Sequence, residues 1–454
     1  MPRDTFLFSV SYENMCYVFL ACRQQVLFFD KESNLDTSMT QEIVTSDSGS
    51  HEPVSTGEKF AILLFAITCI QAAFLQPEIT IVYGERAKLF TGLLCALSLV
   101  ASVLFVRRPL KCGSLLEIGI SVLLGVIIAL SGLMSATAFS SSLRGLVVIA
   151  SAAGGFWCAR ILLHSNSRQA LFTKFCLVLL AAIALLAILG QIIAGDIVYL
   201  LDVNKHPIAC RILLLWFAPL ALILRGGKTN TIVGVSLLCL SYVVFLAGNL
   251  RSAVLIPLVL GIIAATSGAM KPKHLVAILV PLSLIVGTFF HFLPKEKIEL
   301  EYEPAYYRAE NYPFSWHIAK KNPILGIGLR SPRDGYLEDY EIKYPYVTKE
   351  KFQESVSLIV TSENVFLNFM VDLGFPFLIL YLACLVVLLI RLIRSLRKPD
   401  TRSYLPPLAL LLPITAGLLD FQILDGLLHP HISWYFHILL GMIAYPALEQ
   451  KTPD

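Results

Sequence analysis

The sequence predicts an all-α, polytopic membrane protein with about twelve transmembrane helices and one large extracytoplasmic loop. Of its 454 residues, 56% are hydrophobic and 15% are charged, whereas soluble domains carry about 25% charged residues. The mean hydropathy of +0.72 comes from long, continuous apolar runs, which exclude the alternating pattern of a membrane β-barrel. The charges cluster outside these runs. This composition also excludes a disordered chain, and a net charge of +4 indicates no nucleic-acid partner.

Twelve runs are long enough for a membrane-spanning helix, which needs about 20 mostly apolar residues. They cover 60–77, 88–106, 114–137, 145–163, 172–194, 207–224, 231–247, 252–268, 274–293, 373–394, 404–422 and 433–448. The predicted organisation follows from these runs and from the polar segments between them. It comprises a polar, disordered cytoplasmic tail at 1–59, nine spans within 60–293, a large outer loop at 294–362, and three spans within 363–454.

The orientation follows from the basic residues of the short loops. One set of alternate loops holds fourteen Lys and Arg residues, and the other set holds five. Because the richer set is normally cytoplasmic, both termini are predicted inside. The loop 294–362 and the segments 195–206 and 423–432 are then predicted outside.

Polar residues near the outer surface are the candidates for chemistry. Arg251 lies in "AGNLRSAV", between two apolar runs; it can anchor a helix at the headgroups or bind a phosphate through two parallel hydrogen bonds. Residues 306–321 are predicted helical, and "NPILGIG" after them indicates a stop and a turn. Within this segment Arg308, Trp316 and His317 are binding candidates. The alternative is an amphipathic surface helix with Trp316 at headgroup level.

Two further outer segments hold candidate site residues. Glu363 and Asn364 fall in the first turn of a predicted helix, where an acid can simply complement the helix dipole. Lys205 and His206, in "VNKHPIAC", are candidates for contact with an anionic ligand. Glu117, Arg160 and Arg211 are predicted at interfaces, near span ends.

A metal site is not expected. His429 and His431 flank Pro430, and two histidines without helical spacing are fewer than the three or four ligands that a zinc site needs. The ten cysteines are scattered singly, with no CxxC pair, and Gly326 and Gly328 alone make no nucleotide fingerprint.

Several of these features together resemble the O-antigen ligase/polymerase family. They are the Arg after the seventh span, the large outer loop, and the order Arg308, Trp316, "NPILGIG" and "SENVFLNFMVDLG" over roughly 200–390. The resemblance implies a membrane glycosyltransferase of the bacterial inner membrane, active on the periplasmic face in lipopolysaccharide or polysaccharide biosynthesis. Its donor would be a polyprenyl-diphosphate-linked glycan, its acceptor lipid A-core or a growing glycan, and it would need no cofactor.

The resemblance also implies residue roles. Arg251 and Arg308 fall where the family has its two diphosphate-binding arginines, and Asn364 and Gly374 fall in the segment after the loop. Ligases typically have His-Asn where this chain has Glu363-Asn364, so Glu363 would be the catalytic base. Lys205, His206 and Trp316 complete the predicted substrate site.

Four functions remain open at this point. The protein is a ligase, a polymerase that extends O-antigen or exopolysaccharide, a transporter that flips a lipid-linked sugar, or a structural scaffold for an envelope complex. Transporters often contain inverted repeats and broken helices at the midplane. The sequence has no clear repeat, and its charged loop lies outside the spans, which favours an enzyme.

Overall fold

A computed structural model describes residues 55–74, 84–106, 115–135, 137–195, 197, 205–248, 250–266, 276, 278, 280, 302–344, 347–358, 364–397, 404–422 and 426–443. These residues form helices and no strands. The α-helices that lie within these ranges are α1 (Thr56–Phe74), α2 (Gly84–Phe105), α3 (Leu115–Met134), α4 (Ala138–Leu162), α5 (Asn166–Ala194), α6 (Lys205–Leu215), α7 (Phe217–Arg225), α8 (Lys228–Ala247), α9 (Arg251–Thr266), α10 (Tyr302–Lys321), α11 (Lys349–Leu358), α12 (Val365–Arg397), α13 (Pro407–Asp420) and α14 (Pro430–Ile443). The predicted all-α class is confirmed for this part of the chain.

Seven segments of the described chain are long and apolar enough to cross a membrane, so the protein is a multi-pass membrane protein. They lie in α1, α3, α4, α5, the combined α6 and α7, α8 and α12. Helices also occupy the other predicted spans except the ninth, 274–293, which lies almost wholly outside the described residues. The count of twelve spans therefore stays a prediction, as do the tail and loop boundaries.

A tight helix cluster forms around α4. Thr68 of α1 contacts Ser98 of α2 through their hydroxyls, at 2.7 Å. A Cβ on Gly155 of α4 would lie 2.5 Å from the Trp434 carbonyl oxygen of α14. Ser102 of α2 donates to the Cys158 sulfur of α4 at 3.5 Å. Backbones this close need small residues at the crossing, and the cluster places the first turns of α2, α4 and α14 at one end of the bundle.

Charged side chains gather at the opposite end of the bundle. The Glu117 carboxylate accepts from Arg160 at 2.7 Å and from Arg391 at 2.9 Å, joining the start of α3 to the ends of α4 and α12. Glu58 and Arg168 pair the starts of α1 and α5. These residues belong to the side that the loop charges predict to be cytoplasmic.

Arg211 differs from its predicted interfacial position. It is 1% exposed, inside the bundle. Its guanidinium donates to the carbonyls of Ala73, at 2.6 Å, and Pro207, at 3.2 Å. Ala73 is in the last turn of α1, where carbonyl groups lack helical partners and attract a cation. Arg211 therefore closes the end of α1 rather than reaching the headgroups.

Candidate functional site

A sequence motif inside the outer loop contacts the motif that follows the loop. Residues 322–333, here called the docked loop, follow α10 and lie against the broken part of α12. The amides of Ile327 and Gly328 donate to the carbonyls of Val371 and Asp372, each at 3.0 Å, and the Phe375 amide donates to the Pro323 carbonyl at 2.9 Å. "NPILGIG" and "NVFLNFMVDLG" therefore form one structural unit.

Two glycines permit this contact. Gly374 interrupts α12 with φ 84° and ψ 171°, and a Cβ there would lie 2.3 Å from the Ile324 carbonyl oxygen. Gly326 has φ 65°, and its Cβ would lie 2.3 Å from the Asp372 carbonyl carbon. Both positions combine a left-handed backbone with a backbone-to-backbone approach, which other residues cannot adopt without displacement. Gly326 and Gly374 thus have a structural role at this contact.

A buried ion pair, here called the Arg333–Asp372 clamp, holds the docked loop on α12. The Arg333 guanidinium donates to the Asp372 carboxylate at 2.9 Å and to the Asn368 side-chain oxygen at 2.9 Å. The second Asp372 oxygen accepts from the Arg330 amide at 3.1 Å. The Arg333 and Asp372 side chains are 3% and 0% exposed. Removing one partner of such a pair leaves an uncompensated buried charge.

A second buried acid ties α10 to the following loop. Glu310 is 0% exposed and accepts from the amides of Lys343, at 2.9 Å, and Tyr344, at 2.8 Å. The Tyr340 hydroxyl also donates to this carboxylate. Burial, and then the neighbouring Glu310, raise the pKa of Tyr340 above its ordinary value. The phenol therefore stays protonated and remains a donor.

An exposed ion pair lies further along the same face of α10. The Asp339 carboxylate accepts from Lys321, and from the His317 ring at 3.2 Å. These hydrogen bonds lower the pKa of Asp339 below its ordinary value, with Lys321 the larger influence. His317, a sequence candidate, therefore faces an acid of its own loop.

Asn364 connects three elements at the start of α12. Its side-chain oxygen accepts from the amides of Phe366, at 3.0 Å, and Leu367, at 3.1 Å, which is an N-cap contact. Its amide nitrogen donates to the Gln422 side-chain oxygen at 3.0 Å and lies 3.5 Å from the Tyr312 hydroxyl. Asn364 thus links α12 to α10 and to the end of α13, and we call this the Asn364 junction.

Three of the predicted cationic residues lie in described helices. Arg308 is in α10, four residues before Tyr312, a little over one helical turn. Arg251 is the first residue of α9, and Lys205 is the first residue of α6. For Arg308, Arg251 and Lys205 the structure thus gives the position of the backbone in its helix. Glu363, the predicted base, lies outside the described residues and directly precedes Asn364.

The remaining predicted residues have mixed environments. Trp316 is 47% exposed, and its ring packs edge-on against Phe375 with centroids 5.5 Å apart. His206 is half-buried at the start of α6. Within the described ranges, no group of three or more His, Cys, Asp or Glu residues is arranged to hold a metal ion.

Sequence reasoning missed the clamp and the partners of Asn364. Asp372 offered a signal, because a single acid inside an apolar run requires a partner. Arg333 lies 39 residues before it, and no periodic pattern connects the two. Tyr312 and Gln422 are ordinary polar residues of two separate segments, and nothing in their surroundings marks them as neighbours.

Residues 213–382 match the model of a protein family described as O-Antigen ligase. This segment runs from α6 to α12 and contains the docked loop, Asn364 and Tyr312, whereas Gln422 of the Asn364 junction lies beyond it. Among curated proteins, none matches the chain.

The family match confirms the resemblance to the O-antigen ligase/polymerase family that the sequence predicts. The apolar helices identify a multi-pass membrane protein, and its residues 213–382 are similar to the O-antigen ligase family. Members of this family are glycosyltransferase-like ligases or polymerases that use lipid-linked glycan donors and glycan acceptors in a membrane.

Proposed function

We propose that this protein transfers a glycan from a polyprenyl diphosphate to an acceptor hydroxyl, at the periplasmic face of the bacterial inner membrane. The acceptor is lipid A-core for a ligase, or a growing glycan for a polymerase. The observation that carries the proposal is the Asn364 junction. It joins the helix that holds Arg308 to the residue next to Glu363, inside the segment that matches the family.

The proposed roles of the arginines follow from the leaving group. The acceptor oxygen attacks the anomeric carbon of the donor sugar, and the bond from that carbon to the diphosphate oxygen breaks. Negative charge develops on the departing diphosphate. Arg251 and Arg308 stabilise this charge through bidentate hydrogen bonds, as preorganised donors do at a developing anion, so this scheme assigns no step to a metal.

The acceptor hydroxyl must lose its proton during this attack. Glu363 is the proposed general base, because it stands where related ligases have a histidine and because it precedes the first turn of α12. A helix N-terminus favours the carboxylate form of an acid that precedes it, whereas desolvation favours the protonated form. Asn364 caps α12 and contacts Tyr312, so it links the residue after the proposed base to the helix that holds Arg308.

Lys205, His206 and Trp316 are proposed to line the path of the substrate. Lys205 and His206 lie at the start of α6, and Trp316 lies on the half-exposed side of α10. A ring at such a position can stack against a sugar face, and a cation can meet a phosphate oxygen.

A purified-protein assay with a polyprenyl-diphosphate-linked glycan tests the reaction class. Appearance of glycan on the acceptor, with release of polyprenyl diphosphate, supports the transferase. Movement of the intact donor across a vesicle membrane, without transfer, would instead identify a lipid-linked sugar flippase.

The glycan profile of a deletion strain then separates the two transferases. Long chains that accumulate on the polyprenyl carrier identify a ligase, because polymerisation still occurs. Single unextended repeats identify an O-antigen or exopolysaccharide polymerase.

A further inference from the structure

The bundle end near the docked loop contains a second cationic feature, formed by Arg144 and Arg330. Both side chains line one open pocket. The Arg144 guanidinium donates to the Arg330 carbonyl at 2.9 Å, so the two residues are in direct contact. A guanidinium has five N–H donors, and one that binds a carbonyl can also bind a phosphate. None of the described residues that line the pocket is acidic.

The backbone of Arg330 is held in place from several sides. Its amide donates to the buried Asp372 carboxylate at 3.1 Å, and its carbonyl accepts from Arg144. Its φ is +52°, and among the described residues Arg330 is the one non-glycine residue with a positive φ. Glycine or asparagine adopts this conformation more readily. An arginine at this constrained position therefore indicates a role for its side chain rather than for the turn.

The rest of the pocket is apolar. Its wall is formed by α2, α4 and the segment that leads into α14, with lining residues that include Leu89, Leu143, Val147 and Leu428. Beside it, Phe90, Leu93 and Leu146 are 50%, 55% and 61% exposed. Large apolar side chains that are exposed on a membrane protein face lipid. The two cations thus lie next to a lipid-facing surface.

We propose that the Arg144–Arg330 pocket binds the phosphate headgroup of an anionic phospholipid, whose acyl chains lie along the apolar surface of α2 and α4. The apolar wall favours an amphiphile over free phosphate, and the two arginines that line the pocket favour an anionic headgroup over a zwitterionic or uncharged one. Because Arg330 belongs to the docked loop, the bound lipid would anchor this loop to the membrane surface. The inference concerns residues other than Arg251 and Arg308, and it does not rest on the proposed glycan transfer.

Native mass spectrometry of the full-length protein, purified in a nonionic detergent, tests this site. The probes are dioleoylphosphatidylglycerol, dioleoylglycerol with the same chains but no phosphate, and inorganic phosphate. The double variant Arg144→Gln, Arg330→Asn removes both guanidiniums, and Asn still tolerates the positive φ at residue 330. Loss of charge-assisted contacts should weaken binding of the phosphatidylglycerol by about tenfold or more.

Arg225→Gln is the matched control, because it removes one guanidinium from a residue that contacts Tyr404 instead. It should bind the phosphatidylglycerol as wild type does. Arg144→Lys keeps the charge but loses the fork, so intermediate binding is expected, and this variant decides the question if the double variant does not fold. The proposal is overturned if the folded double variant binds the phospholipid normally. It is also overturned if wild type binds dioleoylglycerol equally well, or if inorganic phosphate displaces the phospholipid.

Discussion

The Arg333–Asp372 clamp and the Asn364 junction lie on the same helix, yet they are built in different ways. The clamp consists of a charged pair at 2.9 Å with side chains at most 3% exposed. The junction consists of neutral groups, of which the Asn364 contact to Tyr312 is 3.5 Å long. The clamp fixes the docked loop, whereas the junction is held by weaker contacts beside the proposed reaction centre.

This difference indicates that the clamp mainly stabilises the fold, whereas the junction mainly supports the proposed reaction. Low exposure makes the clamp strong only while both charges are present. Neutral hydrogen bonds at a partly open site contribute less to stability, and they can rearrange when a substrate enters. Substitutions in the clamp should therefore affect folding first, and substitutions around the junction should affect transfer first.

Breaking the clamp should give the largest loss of stability. Asp372→Asn leaves the Arg333 charge buried without its counter-charge, and we expect a loss of about 3–5 kcal/mol in the free energy of unfolding. Thermal unfolding in detergent, with limited proteolysis of the docked loop, measures this loss. Asp339→Asn, which removes an acid from an exposed pair in the same outer region, is the control and should be nearly silent. Equal losses of stability in Asp372→Asn and Asp339→Asn would contradict the stronger structural role of the clamp.

Loss of the arginine fork should reduce transfer without unfolding the protein. Arg308→Lys keeps the charge but loses the bidentate contact, so turnover should fall. Removing the whole contact, as in Arg308→Ala, should cost about 1.5–3 kcal/mol, or roughly tenfold to a hundredfold in rate. Donor binding and turnover are measured for Arg251→Ala, Arg308→Ala and the double variant. Normal binding and use of donor by the double variant would remove the anion site from the mechanism.

Two substitutions at Asn364 separate its cap from its cross-helix contact. Asn364→Ala removes both and should cost about 1 kcal/mol of stability. Asn364→Asp keeps an acceptor for the amides of Phe366 and Leu367 but loses the donor to Gln422. The Asp variant should therefore melt close to wild type and still transfer glycan more slowly. If Asp restores transfer as well, the contact to Gln422 and Tyr312 has no role in the reaction.

The smallest expected effect concerns the exposed pair of Asp339. The folded protein lowers the pKa of this carboxyl below its ordinary value of 3.8. Ionised Asp339 therefore stabilises the fold fully when the pH is above this ordinary pKa. This stabilisation declines as the pH falls towards the lowered pKa. Asp339→Asn should thus be slightly less stable than wild type at neutral pH, and the difference should vanish in acid and shrink with added salt. A difference that persists in acid would indicate another role for this residue.

Part of the fold could be predicted from the sequence because it depends on local composition. Continuous apolar runs placed the helices, and "NPILGIG" gave the end of α10 at Lys321 and the turn after it. The break at Gly374 was not predicted, because its cause is the approach of Ile324 from another segment.

The candidate site was predictable to a smaller extent. Asn364 was predicted to bind substrate from the first turn of a helix. The structure shows it as the N-cap of α12, and its binding role stays a prediction. Its neighbours Tyr312 and Gln422 depend on how α10 and α13 pack, which no spacing in the chain encodes. Arg211 was assigned to an interface because charges favour water, but the carbonyls at the end of α1 satisfy it inside the bundle.

The most direct test of the proposed site is the transfer rate of Glu363→Gln at saturating donor. Gln keeps the shape of the side chain and removes the base, so transfer should fall by about a hundredfold or more, while donor binding stays close to wild type. Glu363→His should retain measurable activity, because an imidazole can accept the same proton. A Glu363→Gln protein with the wild-type transfer rate would contradict the account and exclude Glu363 as the base.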